Sequence, residues 1–207
     1  MKSLSLATLF IFASILLVSG QDFEGSIKYK MSYSNLPKEM KDMMPEEVPE
    51  SVLKIKGSKT KMEVSMMGFN NVTIFDGDAK TNTTYMDGMG QKIKSTIPIE
   101  DEEKIEIKLV EGETKRIAGY LCNKAIIKQA DTPDLEVFYA KDLKSETLMS
   151  LNPAFKDLKG LPLEYQINEQ GMTIMVTATE VVKKSLDNSE FDPPAGDYKE
   201  APKMPGF

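Results

Sequence analysis

The stretch GSIKYKMSYS at residues 25–34 decides the fold class, because its apolar and polar residues alternate strictly. One face carries only apolar or aromatic side chains, namely Ile27, Tyr29, Met31 and Tyr33. This period of two is typical of a β-strand with one face buried and the other solvated. The same alternation recurs at 59–66, around 105–110 and at 172–178. The sequence therefore predicts a mainly β protein.

Further apolar runs predict additional strands, and turns rich in Gly, Asp and Asn separate them at hairpin spacing. These runs lie at 52–56, 70–75, 80–86, 91–97, 115–128, 134–140 and 162–168. About ten strands joined by short loops favour an antiparallel meander in a single domain, residues 21–207. A sheet of that width cannot stay flat, so we expect it to curl into a barrel or half-barrel or to split into a sandwich.

Two segments show helical periodicity. Residues 37–48 place Met40, Met43 and Met44 at i, i+3 and i+4, and residues 141–158 carry an apolar stripe that contains Leu148 and Phe155. We expect both to form short helical segments that cover the sheet. A curved sheet with so thin a cover encloses an apolar cavity, whereas a sandwich fills that space with its own side chains.

The first twenty residues, MKSLSLATLFIFASILLVSG, have the pattern of a secretory signal peptide. Lys2 precedes an apolar stretch that ends in small residues, so we expect cleavage near Gly20 and a periplasmic or secreted mature protein. Gln21 stands where a bacterial lipobox needs Cys, which predicts a protein that is not membrane-anchored. The single Cys122 cannot form an internal disulfide, and we expect it to be a buried thiol.

The composition excludes several classes of function. The chain has no His and one Cys, which rules out histidine-based catalysis and metal sites built from His or paired Cys. Lys and Arg number 26 against 32 Asp and Glu, and the formal net charge of −6 argues against nucleic acid as a partner. The pattern Ser-x-x-Lys occurs at Ser51/Lys54 and Ser58/Lys61, without the further motifs of penicillin-recognising enzymes. We expect a protein that is not an enzyme and needs no cofactor.

Methionine is abundant, with 14 in 207 residues. Its flexible, polarisable side chain suits surfaces that pack around varied apolar ligands, and it also fills gaps in ordinary cores. The expected lining of the cavity, where a lipid or other apolar ligand would bind, is Tyr29, Met31, Tyr33, Met40, Met43, Met44, Met62, Val64, Met66, Leu148 and Phe155. Two alternatives stay open: a methionine-based Cu(I) carrier, and a ligand-free structural or interaction module of the cell envelope with a protein partner.

Several short motifs occur in a fixed order along the chain. They are FEGSI at 23–27, IAGYLCNKA at 117–125, EVFY at 136–139, GLPLEY at 160–165, and Phe191 followed by PPAG at 193–196 and Tyr198. Together they resemble the secreted bacterial family known as domain of unknown function 4412, which is similar to the LolA-like superfamily of lipoprotein carriers. The resemblance implies a curved antiparallel half-barrel closed by short helices, and a periplasmic or extracellular binder of acyl chains or other apolar molecules. It implies no catalytic residue.

Overall fold

A single antiparallel sheet accounts for almost all regular structure of the protein. The computed structural model describes residues 22–35, 49–66, 68–99, 106–129, 132–145, 155, 158–169 and 172–201. The strands are β1 Gly25–Ser34, β2 Glu50–Lys56, β3 Lys59–Met66, β4 Phe69–Asp76, β5 Thr81–Gly88, β6 Gln91–Pro98, β7 Glu106–Ile117, β8 Tyr120–Gln129, β9 Thr132–Ala140, β10 Leu161–Glu169, β11 Met172–Lys183 and β12 Lys199–Glu200. The prediction of a mainly β protein is therefore confirmed.

The sheet consists of two successive meanders. Its order is β12-β6-β5-β4-β3-β2-β1-β11-β10-β9-β8-β7, so neighbours within β1–β6 and within β7–β11 follow one another along the chain. The antiparallel pairing of β1 with β11, which sets Gly25 opposite Lys183, joins the two meanders. The two-residue strand β12 adds to the edge of β6 in parallel orientation.

The covalent chain itself requires this sheet to be curved. β6 ends at Pro98 near one edge, and β7 begins at Glu106 at the opposite edge. In a flat sheet about 48 Å would separate these two strands, but the chain between Pro98 and Glu106 spans at most about 28 Å. Side-chain contacts agree, because the Lys115 ammonium on β7 lies 2.7 Å from both carboxylate oxygens of Glu164 on β10, although β8 and β9 separate the two strands.

Two clusters of buried side chains form the core. The larger one joins β1, β2 and β11 to the ends of β7–β10, and it contains Phe23, Ile27, Tyr29, Leu53, Ile55, Ile117, Cys122, Ala140, Leu143, Leu161, Leu163, Val176 and Ala178. The smaller one contains Ala125, Ile127, Val137, Tyr139, Phe155 and Leu158. Tyr165 packs against both clusters and so connects them.

The outer face of β2–β6 is crossed by residues 184–201. Lys56 donates a hydrogen bond to the Leu186 carbonyl, and the Lys61 ammonium lies 3.2 Å from the carbonyl oxygen of Asp192. Within this segment Asn188–Phe191 form a 3-10 helix, whose Phe191 is buried. The segment ends as β12, which pairs with β6 at the edge of the sheet.

Two turns differ from the sequence-based expectation. The run 115–128 is not one strand, because Ala118 and Gly119 form a tight turn with φ of 46° and 87° between β7 and β8. Conversely, the predicted turn around Gly112 lies inside β7, where the register against β8 shifts between Leu109 and Thr114. The predicted strand around 105–110 and the start of the run 115–128 together form β7, so the split at Ala118 adds no strand, and β12 is the strand without a predicted counterpart.

The predicted helical segments fall mostly outside the described residues, which exclude 37–48 and 146–154. The described start of the second segment, 141–145, is not helical. Its backbone pairs with distant chain instead: Leu161 N–H donates to the Leu143 carbonyl, and Phe23 N–H donates to the Lys144 carbonyl. These tertiary hydrogen bonds occupy the Leu143 and Lys144 carbonyls in a non-helical backbone. No helix within the described part of the chain is long and apolar enough to cross a membrane.

Candidate functional site

A cavity of about 180 Å³ lies against the inner face of the first meander. Its floor is set by strand register, because tight pairing places Leu53, Met62 and Thr73 in one row across β2, β3 and β4. The next row brings Thr60, Phe75 and Asn82 together across β3, β4 and β5. All six side chains line the cavity.

Aromatic side chains form the wall near the seam between the two meanders. Tyr29 on β1, Tyr165 on β10 and Phe155 line the cavity together with Pro162. Tyr165 makes edge-to-face contacts with the other two rings, at centroid distances of 6.4 Å to Tyr29 and 5.5 Å to Phe155. The Tyr29 hydroxyl donates a hydrogen bond of 2.9 Å to the Pro162 carbonyl. The wall is therefore a fixed cluster of rings, held by packing and by one buried hydrogen bond.

This wall is a poorly solvated environment. Burial raises the pKa of Tyr165 to about 12, and burial also holds the pKa of Tyr29 well above its usual value. Both shifts arise because the negative phenolate loses the stabilisation that water provides. The same loss of hydration would oppose any other negative charge placed beside these rings.

The polar side chains of the floor are neutral. They are the hydroxyls of Thr60 and Thr73 and the carboxamide of Asn82. The Thr73 hydroxyl lies 3.3 Å from the Thr84 hydroxyl, so it is already paired. The Asn82 Oδ1 atom is buried and, within the described part of the chain, has no hydrogen-bond partner. Among the floor groups that the structure describes, Asn82 is thus the one with a polar atom that is both buried and unpaired.

Lysines are plentiful on the floor strands but lie on the other face. Lys54 on β2 and Lys61 on β3 alternate with the lining residues Leu53, Thr60 and Met62. The Lys61 ammonium lies 3.1 Å from a carboxylate oxygen of Glu63, and Lys54 lies 3.3 Å from Glu190. Pleating therefore directs these cations to the outer face. No charged residue lines the cavity among the residues that the structure describes.

The structure places the predicted lining residues in three groups. Tyr29, Met62 and Phe155 line the cavity. Met31, Tyr33, Val64 and Met66 lie nearby in β1 and β3, outside the lining; the Tyr33 hydroxyl is 3.6 Å from the Met66 sulfur. Met40, Met43, Met44 and Leu148 lie outside the described residues. Whether any of these residues contacts a ligand stays a prediction.

Seven lining residues were not predicted: Leu53, Thr60, Thr73, Phe75, Asn82, Pro162 and Tyr165. A signal for some of them existed in the sequence. The two-residue turn Gly57-Ser58 fixes the register of β2 against β3 and so places Leu53 opposite Met62. No local signal indicates Pro162 or Tyr165, because β10 reaches the cavity only through the curvature of the whole sheet.

The remaining candidate groups stay apart from the cavity lining. Cys122 is buried as expected, and burial raises the pKa of its thiol to about 11, which makes it unreactive at neutral pH. Ser51 faces the interior, whereas Lys54 lies three residues along the same strand and faces outward. The described residues contain no cluster of three or more Cys, Asp and Glu placed to hold a metal ion.

Comparison with known proteins gives the family and the fold. Residues 23–198 match the family model described as domain of unknown function 4412. The chain belongs to this family. The crystal structure of an uncharacterized conserved protein from Thermus thermophilus is similar, with a TM-score of 0.52 and 12% identity, and the match covers 86% of this chain and 90% of that chain. At this identity the similarity shows the fold alone. No curated protein matches the chain.

Proposed function

We propose that this member of the domain of unknown function 4412 family binds an apolar small molecule in the cavity and performs no chemistry on it. The observation that carries the proposal is the cavity itself, lined by rings and aliphatic side chains from both meanders. Its volume of about 180 Å³ compares with the roughly 150 Å³ of an apolar cavity that binds benzene. It is smaller than the about 300 Å³ at which drug-sized sites begin. A ring or a short alkyl segment fits it.

We further propose that the curved sheet is a LolA-like half-barrel and that the protein works in the cell envelope after removal of residues 1–20. The curvature of the twelve-stranded sheet supports the first part of this proposal. The pattern of residues 1–20 supports the second. A ligand longer than the cavity would extend along the inner face of β3 and β4, where Met66 and Phe69 are exposed.

The first experiment asks whether the protein carries and takes up an apolar ligand. Protein purified from a bacterial envelope is extracted with organic solvent and the extract is analysed by mass spectrometry. The delipidated protein is then titrated with N-phenyl-1-naphthylamine, a neutral fluorescent probe of apolar sites. We expect a lipid in stoichiometric amount and saturable binding of the probe. A clean extract together with no probe binding would instead support the ligand-free structural module.

A pair of matched variants tests whether the cavity is the site. Met62→Lys places an ammonium group in the lining, and we expect probe affinity to fall at least about tenfold because the buried charge is poorly solvated. Met86→Lys introduces the same charge on the same face outside the lining and should bind normally. Should Met62→Lys fail to fold, Thr73→Phe fills the cavity without a charge. Equal losses in the Met62 and Met86 variants would contradict the proposal.

A further inference from the structure

The cavity combines an apolar wall with a neutral polar floor, and this combination restricts the ligand. Its described lining offers no positive side chain to pair with a carboxylate or phosphate and no negative one to pair with an amine. Burying an unpaired charge is far more costly than burying a neutral polar group that can form a hydrogen bond. The high pKa of Tyr165, about 12, shows that the aromatic wall disfavours negative charge.

Asn82 is the floor residue with a buried polar atom that lacks a partner within the described residues. Its carboxamide carries two donor hydrogens and an acceptor oxygen. The Oδ1 atom is buried and unpaired within the described residues, although the side chain lines the cavity. Rotation about the Cβ–Cγ bond exchanges the positions of oxygen and nitrogen, so this amide can present either a donor or an acceptor to a ligand. The paired Thr73 hydroxyl has less capacity to spare.

From these two observations we infer that the cavity selects an uncharged amphiphile, an alcohol, ester or amide of a ring or alkyl chain, whose polar group forms a hydrogen bond with Asn82. The inference rests on the proposed function, because it names the class of molecule that the same cavity takes. It excludes the anion of a free fatty acid as the preferred ligand. The aromatic wall holds the apolar part, and the β5 side of the floor holds the polar group.

Three probes with the same chain and different charge test the first half of the inference. Octan-1-ol, octanoate and octylammonium are each used at pH 7.5 to displace N-phenyl-1-naphthylamine from the delipidated protein. We expect octan-1-ol to compete at least about tenfold more strongly than either ion, because each ion is buried without a partner. Octanoate competing as well as the alcohol would overturn the inference, and octylammonium doing so would also overturn it.

Substitution of Asn82 tests the second half. Octan-1-ol is compared with 1-chlorooctane, which lacks a hydroxyl, and the ratio of their affinities is measured in each variant. We expect Asn82→Leu to lower the alcohol-to-chloride ratio by about fivefold, the size of one neutral hydrogen bond. Asn71→Leu makes the same change on the neighbouring strand outside the lining and should leave the ratio unchanged. Asn82→Thr introduces a hydroxyl that can form a hydrogen bond, so its alcohol-to-chloride ratio should lie between those of the wild-type protein and Asn82→Leu.

The outcomes separate the inference from the proposed function. If the wild-type protein binds neither the fluorescent probe nor any of the octyl compounds, the proposed function itself fails. If it binds the probe and the octyl compounds but Asn82→Leu leaves the ratio unchanged, apolar binding stands and the role of Asn82 is wrong. Each ratio is taken within one folded variant, so a general loss of stability cannot imitate the expected change.

Discussion

The central strands of the second meander bury their inner faces far more completely than the outer strands of the first meander. In β8 and β9 the inward side chains Ala125, Ile127 and Val137 are fully buried. On β4–β6, in contrast, Phe69 and Met86 are partly exposed and Ile97 is 55% exposed. The difference shows that one part of the sheet curls onto itself and fills its interior, while the other does not. The cavity lies where the filled part meets the open part, with Tyr165 and Pro162 on one side and Asn82 on the other.

The largest expected difference in unfolding free energy is between one truncation in the filled part of the sheet and one in the open part. Leu161 is 0% exposed in the larger cluster, so Leu161→Ala should lower the free energy of unfolding by about 2–5 kcal/mol. Met86 is 38% exposed, and Met86→Ala should cost less than about 1 kcal/mol because little burial is lost. Urea unfolding followed by circular dichroism measures both. Equal costs would mean that the two parts are packed alike.

Loss of the ion pair between Lys115 on β7 and Glu164 on β10 should give the next largest change in unfolding free energy. Lys115→Met keeps an apolar chain beside the Phe138 ring. It leaves the carboxylate of Glu164, a residue that is 7% exposed, with the Thr177 hydroxyl at 3.1 Å as its one remaining partner among the described residues. We expect a loss of about 2 kcal/mol in unfolding free energy. The double variant with Glu164→Gln should recover part of it.

The half-exposed pair Lys28–Glu180 provides the control for that contact. Lys28→Met should cost less than about 0.5 kcal/mol, as is usual for solvated ion pairs. Equal losses of unfolding free energy in Lys115→Met and Lys28→Met would show that the Lys115–Glu164 ion pair does not stabilise the curved sheet.

The filled part should also lose stability at alkaline pH. Burial raises the pKa of Cys122 from 9.0 to about 11, so its contribution is complete below about pH 9 and is lost as pH rises toward 11. Between pH 8 and pH 10 the unfolding free energy of Cys122→Ala should therefore fall by about 1 kcal/mol less than that of the wild-type protein. The buried Tyr29 and Tyr165 are present in both proteins and act as the internal control. Identical pH profiles would contradict this assignment.

The smallest expected effect concerns two similar turns. Met89 and Gly90 join β5 to β6 with φ of 51° and 73°, the conformation that favours Asn-Gly over Met-Gly. Met89 is 87% exposed, so Met89→Asn should raise the unfolding free energy by about 0.5–1 kcal/mol. Ala118 has the same positive φ but packs against the core, so Ala118→Asn should gain less. Thermal unfolding of both variants checks the order, and a larger gain at Ala118 would reverse the comparison.

The strands could be predicted because hydrophobic alternation is local. The run from Ile27 to Tyr33 and the run from Thr60 to Met66 both form strands as expected. The turn at Ala118-Gly119 was missed because alanine rarely adopts positive φ, so nothing marked the position before the glycine. The non-helical course of 141–145 depends on hydrogen bonds to Phe23 and Leu161, which no local pattern encodes.

The candidate site could be predicted only in part, for the same reason. Tyr29 and Met62 were found because they lie on the apolar faces of clear strands. Thr73 and Asn82 are polar, and a search for apolar lining residues passes over them. Tyr165 enters the lining because β10 and β5 border one concavity, and that relation depends on the curvature of the whole sheet.

The pairing of β1 with β11 also determines how quickly the protein can assemble. Each meander is built from hairpins between consecutive strands, but the central seam joins Gly25 to Lys183. Such non-local pairing is associated with folding times of milliseconds to seconds. During synthesis at about 5–20 residues per second, roughly 8–30 seconds pass between the appearance of the two partners. For that interval the backbone amides and carbonyls along one side of β1 lack their native neighbour, and an open strand edge of this kind is a template for pairing with another chain.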